Sequence, residues 1–293
     1  MIAFDYERPT TVSEAVLLLQ KEGNAARVLA GGTDLIVQVR EGRRDINLMV
    51  DGKGIPELTG ISFSSDSGLE LGASAPCYQI YGKGDVFAAY PGLMDAVTLI
   101  GGTAIQGRAS LGGNLCNSSP AADSISPLIV HNSVAVIAGP DGNREVAVED
   151  FCTGPGQNVL QEGELLVSLK VPAPKPNFGA HYLRFIPRNE MDIAVVGAGA
   201  SVELDEDGET IQSARIALCA VAPTPLLVST AGDSLAGQKI SDEAIEQAAQ
   251  LAKEAAKPIS DMRGSAAQRK HLSAVLTRRA LEGAIRRAQN GSA

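Results

Sequence analysis

Val28-Leu29-Ala30-Gly31-Gly32-Thr33-Asp34-Leu35 carries a β-prone run into two glycines and then into a helical pattern continued by Ile36 and Val39. The glycines let the main chain turn tightly, and the polar pair Thr33-Asp34 opens the helix. Amides at such a junction lack intrahelical partners and face whatever sits at the helix start, so a pyrophosphate is stabilised there without a lysine. The pattern is neither GxGxxG nor GxxxxGK[ST], which excludes the two best-known phosphate loops. Upstream, Ser13 reads as the cap of a helix through Val16, Leu17, Leu18 and Leu19 that stops at Gly23. Downstream, Ile46 to Val50 is strand-like and ends at Asp51-Gly52. Helix, strand, helix and strand at this spacing predict a small α/β unit over residues 1–54.

A second glycine pair stands in Ser110-Leu111-Gly112-Gly113-Asn114-Leu115-Cys116-Asn117-Ser118-Ser119-Pro120-Ala121-Ala122-Asp123. Here too the main chain can approach a ligand closely, and a helix is expected to start at Pro120. Asn114, Asn117, Ser118 and Ser119 offer donors and acceptors suited to ribityl hydroxyls and phosphate oxygens. Asp123 could accept from a ribose hydroxyl or an adenine amine, or sit as a first-turn carboxylate on the helix dipole. Two such loops in one chain point to a dinucleotide.

Around the second loop the texture is of short alternating runs: 69–72, 133–138, 145–148 and 165–171 read as antiparallel strands, with helical patterns at 90–100 and 121–131. Pro172-Ala173-Pro174-Lys175-Pro176-Asn177 cannot sit in a helix or a central strand and reads as a linker. A second unit over 55–175 and a third over 176–293 follow from it. The third shows strand-like runs at 180–185, 194–204 and 210–222, with the hairpin signal Asp205-Glu206-Asp207-Gly208 between the last two. Helical segments at 241–256 and 266–288 close the chain; Arg269, Lys270, Arg278, Arg279, Arg286 and Arg287 of the second read as a solvated face. The expected class is α+β, ending in a three-stranded antiparallel sheet with helices.

The 293 residues carry 25 Lys+Arg against 34 Asp+Glu, a formal net charge of −9, which argues against nucleic-acid binding. No apolar run approaches a membrane span, and the first residues have neither a basic nor an apolar leader region. Cys77, Cys116, Cys152 and Cys219 lie too far apart for a zinc or iron–sulfur motif, and only His131, His181 and His271 occur. Neither metal ligation nor a catalytic residue is therefore expected in this chain. Free thiols suit a reducing cytoplasm, and Cys116 reads as a small buried hydrophobe.

Ala30-Gly31-Gly32-Thr33-Asp34 and Ser110-Leu111-Gly112-Gly113-Asn114-Leu115-Cys116 resemble the two FAD-binding motifs of the medium, flavoprotein subunit of molybdenum hydroxylases. That family includes xanthine dehydrogenase-like enzymes and aerobic carbon monoxide dehydrogenase. Arg188 to Ala194, Ala220-Val221-Ala222-Pro223-Thr224-Pro225 and 258–265 resemble later signatures in the same order. The resemblance implies an FAD-binding fold of the p-cresol methylhydroxylase type followed by a C-terminal domain. It places Val28, Leu29, Ala30, Gly31, Gly32, Thr33, Asp34 and Leu35 around the pyrophosphate and part of the flavin. Ser110, Gly113, Asn114 and Asn117 would line the same cofactor, with Ala122 and Asp123 toward its nucleotide end. Leu165 and Leu166 match an apolar pair on the cofactor, and Arg184 falls where relatives place a Lys near the flavin. Ser110-Leu111 departs from the commoner Thr-Ile, and the cysteine-rich insertion of members with an extra cluster is absent from the sequence.

The resemblance also implies a cytoplasmic heterotrimer, assembled as a dimer of heterotrimers. A large subunit would carry a molybdenum–pterin centre and a small one two [2Fe–2S] clusters. Electrons would pass through FAD to NAD, O2, a quinone or another acceptor. The chain shows no nucleophile–base pair of its own, in keeping with an electron-transfer subunit. The rivals are a free-standing FAD-dependent oxidase or dehydrogenase and a nucleotide-binding subunit with a vestigial site.

Overall fold

A computed structural model of the chain describes residues 3–189 and 191–291. Met1, Ile2 and Glu190 of the Arg188 to Ala194 motif lie outside the described residues. Among the described residues, the N-terminal part forms a three-stranded parallel sheet of β1 (Asp5–Glu7), β2 (Ala26–Leu29) and β3 (Leu48–Asp51), ordered β1-β3-β2. The helix Val12–Glu22 packs on it through Ala15, Val16 and Leu19. Its cap is Thr11, not Ser13. The Thr11 hydroxyl accepts from the Glu14 amide and the Glu14 carboxylate reaches back to the Thr11 amide, a capping box that two residues' difference in register denies to Ser13.

The second sheet is antiparallel: β4 (Ile61–Ser64), β5 (Gly68–Gly72), β6 (Val134–Gly139), β7 (Gly142–Ala147) and, after a ribbon of β8 (Cys152–Gly154) and β9 (Gln157–Asn158), β10 (Leu165–Val171). Its order is β4-β5-β10-β6-β7, so β10 is central. A register shift between Leu166 and Ser168 breaks the β10–β6 ladder. The helices Pro91–Val97, Leu111–Asn117 and Ile125–Val130 bury Leu93, Leu111, Leu115 and Ile129 against one face of this sheet.

Beyond 172–177, β11 (Phe178–Phe185), β12 (Val196–Leu204) and β13 (Ile211–Cys219) form the expected antiparallel meander. A further strand, β14 (Leu226–Leu227), pairs with Ala217 and Leu218; two residues are too few to leave a pattern in a sequence. The helices Asp242–Ala255 and Ala266–Asn290 complete this core with Ile245, Ala248, Leu276, Ala280 and Leu281. The last helix is not simply a solvated basic face. Arg269 is buried and donates to the carbonyls of Val195 and Ala220 and to Asp261, and Arg287 donates to Asp95 and the Ala180 carbonyl. No helix among the described residues is long and apolar enough to cross a membrane.

Candidate cofactor-binding cleft

A cleft of about 590 Å³ opens where β2, the Leu111–Asn117 helix and the start of β10 converge. That volume lies within the ordinary range for small-molecule and cofactor sites. Every residue expected at the cofactor lines it except Leu29, Arg184 and Ser118, whose buried hydroxyl donates to the Leu115 carbonyl instead. The Leu29 side chain turns away into a small cluster with Val39, Ile46 and Met49.

The first wall leaves β2 at Ala30. A Cβ on Gly31 would collide with the Arg108 carbonyl, so glycine here lets the first loop lie against the second. Arg108 Nε donates to the Gly31 carbonyl at 3.3 Å across the same seam. Gly32 adopts φ +77°, a left-handed conformation that glycine takes at little cost. The helix Leu35–Arg40 begins with Ile36 N donating to Gly32 O at 3.1 Å and Gln38 N to Asp34 O at 2.9 Å. Among the described residues, the consecutive amides of Gly31, Gly32, Thr33, Asp34 and Leu35 find no acceptor. A row of unpartnered N–H groups lining a cleft is a cradle for an anion, and it fits a pyrophosphate. Burial in this wall pushes the Asp34 carboxyl above its ordinary range.

The second wall differs from the sequence expectation. The helix starts at Leu111 rather than at Pro120, with Ser110 as its cap accepting from the Gly113 amide at 3.1 Å. The glycines are thus first-turn residues. Gly112 lies flush on the main chain of Ala73, where a Cβ would clash. The next helix begins at Ile125, so Asp123 precedes it and is not a first-turn carboxylate. Asn114 Oδ1 accepts from Ser124 Oγ at 2.7 Å, and Asn117 Oδ1 accepts from Gln38 Nε2 at 3.1 Å, which ties the two walls together. Cys116 lines the cleft as well; burial pushes its thiol up to about 12, leaving it protonated at neutral pH.

Leu165 and Leu166 both line the cleft but belong to different cores. Adjacent strand residues point to opposite faces. Leu165 accordingly packs with Ala26 and Leu48, and Leu166 with the Leu111–Leu115 side. The pair forms the floor where the two N-terminal units meet.

Arg184 reaches the site through Asp123. Its Nη1 donates to Asp123 Oδ2 at 2.6 Å, and the Tyr182 hydroxyl donates to Asp123 Oδ1 at 2.7 Å. Burial raises the Asp123 carboxyl, against the pull of Arg184 and Tyr182, and raises the Tyr182 hydroxyl well above its usual range. The contact means that Asp123 and Arg184 share one end of the cleft; the expectation that set one at the nucleotide and the other at the flavin separates residues that touch. Arg184 Nε is buried with no partner, as is Ser74 Oγ on the cleft wall. Met191, Asp192 and Ile193 form the rim beside this end, Asp192 being held by Arg188 at 3.1 Å.

Sequence reasoning missed Arg27, Gln38, Arg44 and Ser74 on the lining and Tyr182 behind it. Only Tyr182 left a signal, two positions before Arg184 on the same face of a strand.

Fold and cleft define an α+β protein in which two glycine-containing loops wall a cleft of cofactor size. A family model described as the FAD binding domain in molybdopterin dehydrogenase matches residues 2–174, and one described as the CO dehydrogenase flavoprotein C-terminal domain matches residues 181–284. The chain is 33% identical over 288 residues to the carbon monoxide dehydrogenase medium chain of Afipia carboxidovorans, covering 98% of this chain and 99% of that one. It is 30% identical over 281 residues to a putative xanthine dehydrogenase FAD-binding subunit of Escherichia coli, covering 96% and 95%. Among solved structures, it superposes with a TM-score of 0.93 at 31% identity on a chain of the carbon monoxide dehydrogenase from Hydrogenophaga pseudoflava that lacks the Mo-pyranopterin moiety, covering 98% and 99%. The chain belongs to the family of FAD-binding flavoprotein subunits of molybdopterin dehydrogenases and is an oxidoreductase component.

Proposed function

We propose that this chain is the electron-transfer subunit of a cytoplasmic heterotrimeric molybdenum hydroxylase, working beside a large molybdenum–pterin subunit and a small subunit with two [2Fe–2S] clusters. The carrying observation is the row of unpartnered amides from Gly31 to Leu35 facing the cleft. The three units, 1–54, 55–175 and 176–293, divide the work: the first two supply the walls and the third supplies Tyr182, Arg184 and the rim. FAD held in this cleft would supply the chemistry of taking electrons one at a time from iron–sulfur clusters and releasing them to an external acceptor such as NAD, O2 or a quinone.

The protein's part is position and electrostatics. Gly31 to Leu35 hold the pyrophosphate by main-chain donors, and Val28 and Ala30 lead the wall into them. Ser110 and Gly113 fix the second wall, Asn114 and Asn117 brace it, and Ala122, Leu165 and Leu166 close the floor. Asp123, oriented by Tyr182 and Arg184, stands at the isoalloxazine end, where the exposed rim residues Met191 and Ile193 leave an approach from solvent. The complex is expected to be a dimer of heterotrimers.

The test is affinity purification of the chain from its native host. The expected result is a yellow complex containing stoichiometric FAD, molybdenum and iron, with substrate turnover lost when the chain is removed. A colourless chain without flavin, or an isolated chain that oxidises a metabolite unaided, overturns the reading.

A further inference from the structure

The five-stranded sheet has two edges, and they are built differently. β7 carries Arg144 and Glu145, which pair with Glu164 and Lys170 and guard that edge with charge. β4, Ile61-Ser62-Phe63-Ser64, carries no charge and no proline, and its pairing with β5 has no bulge. The Gly72 amide donates to the Gly60 carbonyl, which makes Gly60, Ser62 and Ser64 the positions bonded to β5. The N–H and C=O groups of Ile61 and Phe63 therefore point away from the sheet. Among the described residues no strand lies beyond them.

A groove of about 450 Å³ opens at this edge, lined by Thr59, Ile61, Tyr78, Gln79, Gly82 and Lys83. Tyr78, on the helix Cys77–Tyr81, is 47% exposed, and its hydroxyl accepts from Gln79 Nε2 at 3.0 Å. Lys83 is exposed and pairs with no carboxylate among the described residues. Outward main-chain groups two residues apart recur at roughly 6.8 Å along a strand, a spacing that another extended chain matches and a compact ligand does not. Apolar surface at Ile61 and Tyr78 beside an unpaired cation adds a side-chain preference, an apolar residue together with a carboxylate. A second copy of this chain fits less well. Paired antiparallel with Ile61 opposite Phe63, its turn Ser65-Asp66-Ser67 falls at Thr59, so that copy turns away at the groove instead of running along it.

We propose that the free edge of β4 receives an extended, acidic segment of a partner subunit, which adds a sixth strand to this sheet and sets a carboxylate on Lys83. The proposal rests on the subunit reading above.

The test compares residue-resolved amide hydrogen exchange in the isolated full-length chain and in the assembled complex. In the isolated chain Ile61 and Phe63 are expected to exchange fast and Ser62 and Ser64 slowly. Assembly should slow Ile61 and Phe63 about tenfold or more. Assembly is also measured for Lys83→Glu, Ile61→Pro and Lys257→Glu. Ile61→Pro removes one outward donor and spares the bonds to β5, and Gly60, at φ −66° and ψ 149°, already has the backbone that precedes a proline without clash. Lys257, exposed and unpaired elsewhere on the surface, is the control. Lys83→Glu is expected to weaken assembly about three- to tenfold at low salt, Ile61→Pro about two- to tenfold, and Lys257→Glu less than about twofold. Should Ile61→Pro fail to fold, Lys83→Glu, on an exposed side chain, carries the comparison. Unchanged exchange at Ile61 and Phe63 on assembly, or variants that assemble like wild type, overturn the docking edge while the complex itself keeps the subunit reading. Protection that appears in the isolated chain and grows with its concentration assigns the edge to a second copy and likewise overturns it. A chain that purifies without partners removes both readings.

Discussion

At the scale of single residues, the site depends on atoms that are missing. Gly31 has no Cβ because the Arg108 carbonyl occupies that space, so its contribution is to bring one loop onto the other, not to leave room for the cofactor. Gly31→Val is therefore expected to part the loops, lowering stability by about 1–3 kcal/mol and abolishing flavin retention. Gly107→Ala, which meets nothing within 4 Å, should leave both unchanged. Chemical denaturation and the ratio of flavin to protein absorbance measure the two effects. A different cost attaches to Asp123. Its two oxygens are held by Arg184 and Tyr182 in a buried setting, and removing one member of a buried ion pair costs about 3–5 kcal/mol. Arg184→Met should approach that loss, and Tyr182→Phe should cost about 1.5–3 kcal/mol for one bond to a charged acceptor, read by urea unfolding of the flavin-free chain. The glycine pairs were legible because turns and close approaches are local events that only a few residue types allow. The Asp123–Arg184 pair was not, because 61 positions separate partners that only the folded third unit brings together.

Among elements, the first helix shows where local reading succeeds and where it slips. Ser13 and Thr11 both carry a capping hydroxyl, and the deciding feature is Glu14, three residues after Thr11, which completes the reciprocal box. Thr11→Ala is expected to cost about 1 kcal/mol and Ser13→Ala less than about 0.5 kcal/mol, compared as shifts in denaturation midpoint. The reverse order would return the cap to Ser13. The same limit explains the second loop. Pro120 looked like a helix start because proline favours a first turn, but Ser110 already caps a helix whose glycines made it look like a loop. The long strands β12 and β13 were legible as strand-like runs rather than from alternation, since β12 is buried along nearly its whole length. β1 and β14 are too short to show one, and parallel pairing of β1 with β3 follows from tertiary contact.

Across the whole molecule, the third unit is fastened to the second by buried and half-buried polar contacts. Arg215 joins Glu149 and the Ile129 carbonyl, Ser201 Oγ donates to the Val130 carbonyl, and Arg287 grips Asp95 through both carboxylate oxygens at 2.6 and 2.9 Å. His181 Nδ1 adds a contact to Asp95 at 3.0 Å, and the Tyr182 amide donates to it at 3.1 Å. Burial alone would raise the Asp95 carboxyl, but these donors together hold it down at about 2 against an ordinary 3.8. A carboxyl depressed in the folded state binds its proton more readily when unfolded. Its stabilisation is thus complete above the ordinary value and drains away as pH falls from about 4 to about 2. The shift corresponds to about 2 kcal/mol, appropriate to a side chain only 19% exposed. Wild-type chain should therefore lose that much between pH 5 and pH 2 beyond what Asp95→Asn loses, while the variant starts less stable at neutral pH. Urea unfolding across that range decides it, since parallel pH profiles for the two proteins would show that the clamp does not carry the acid sensitivity. Because the Arg287–Asp95 clamp joins residues 192 positions apart, one on the second unit and one on the third, acid should loosen the third unit first and expose the cleft. Flavin release is expected to begin at a higher pH than global unfolding, and to coincide with it if the units separate only when the whole chain melts.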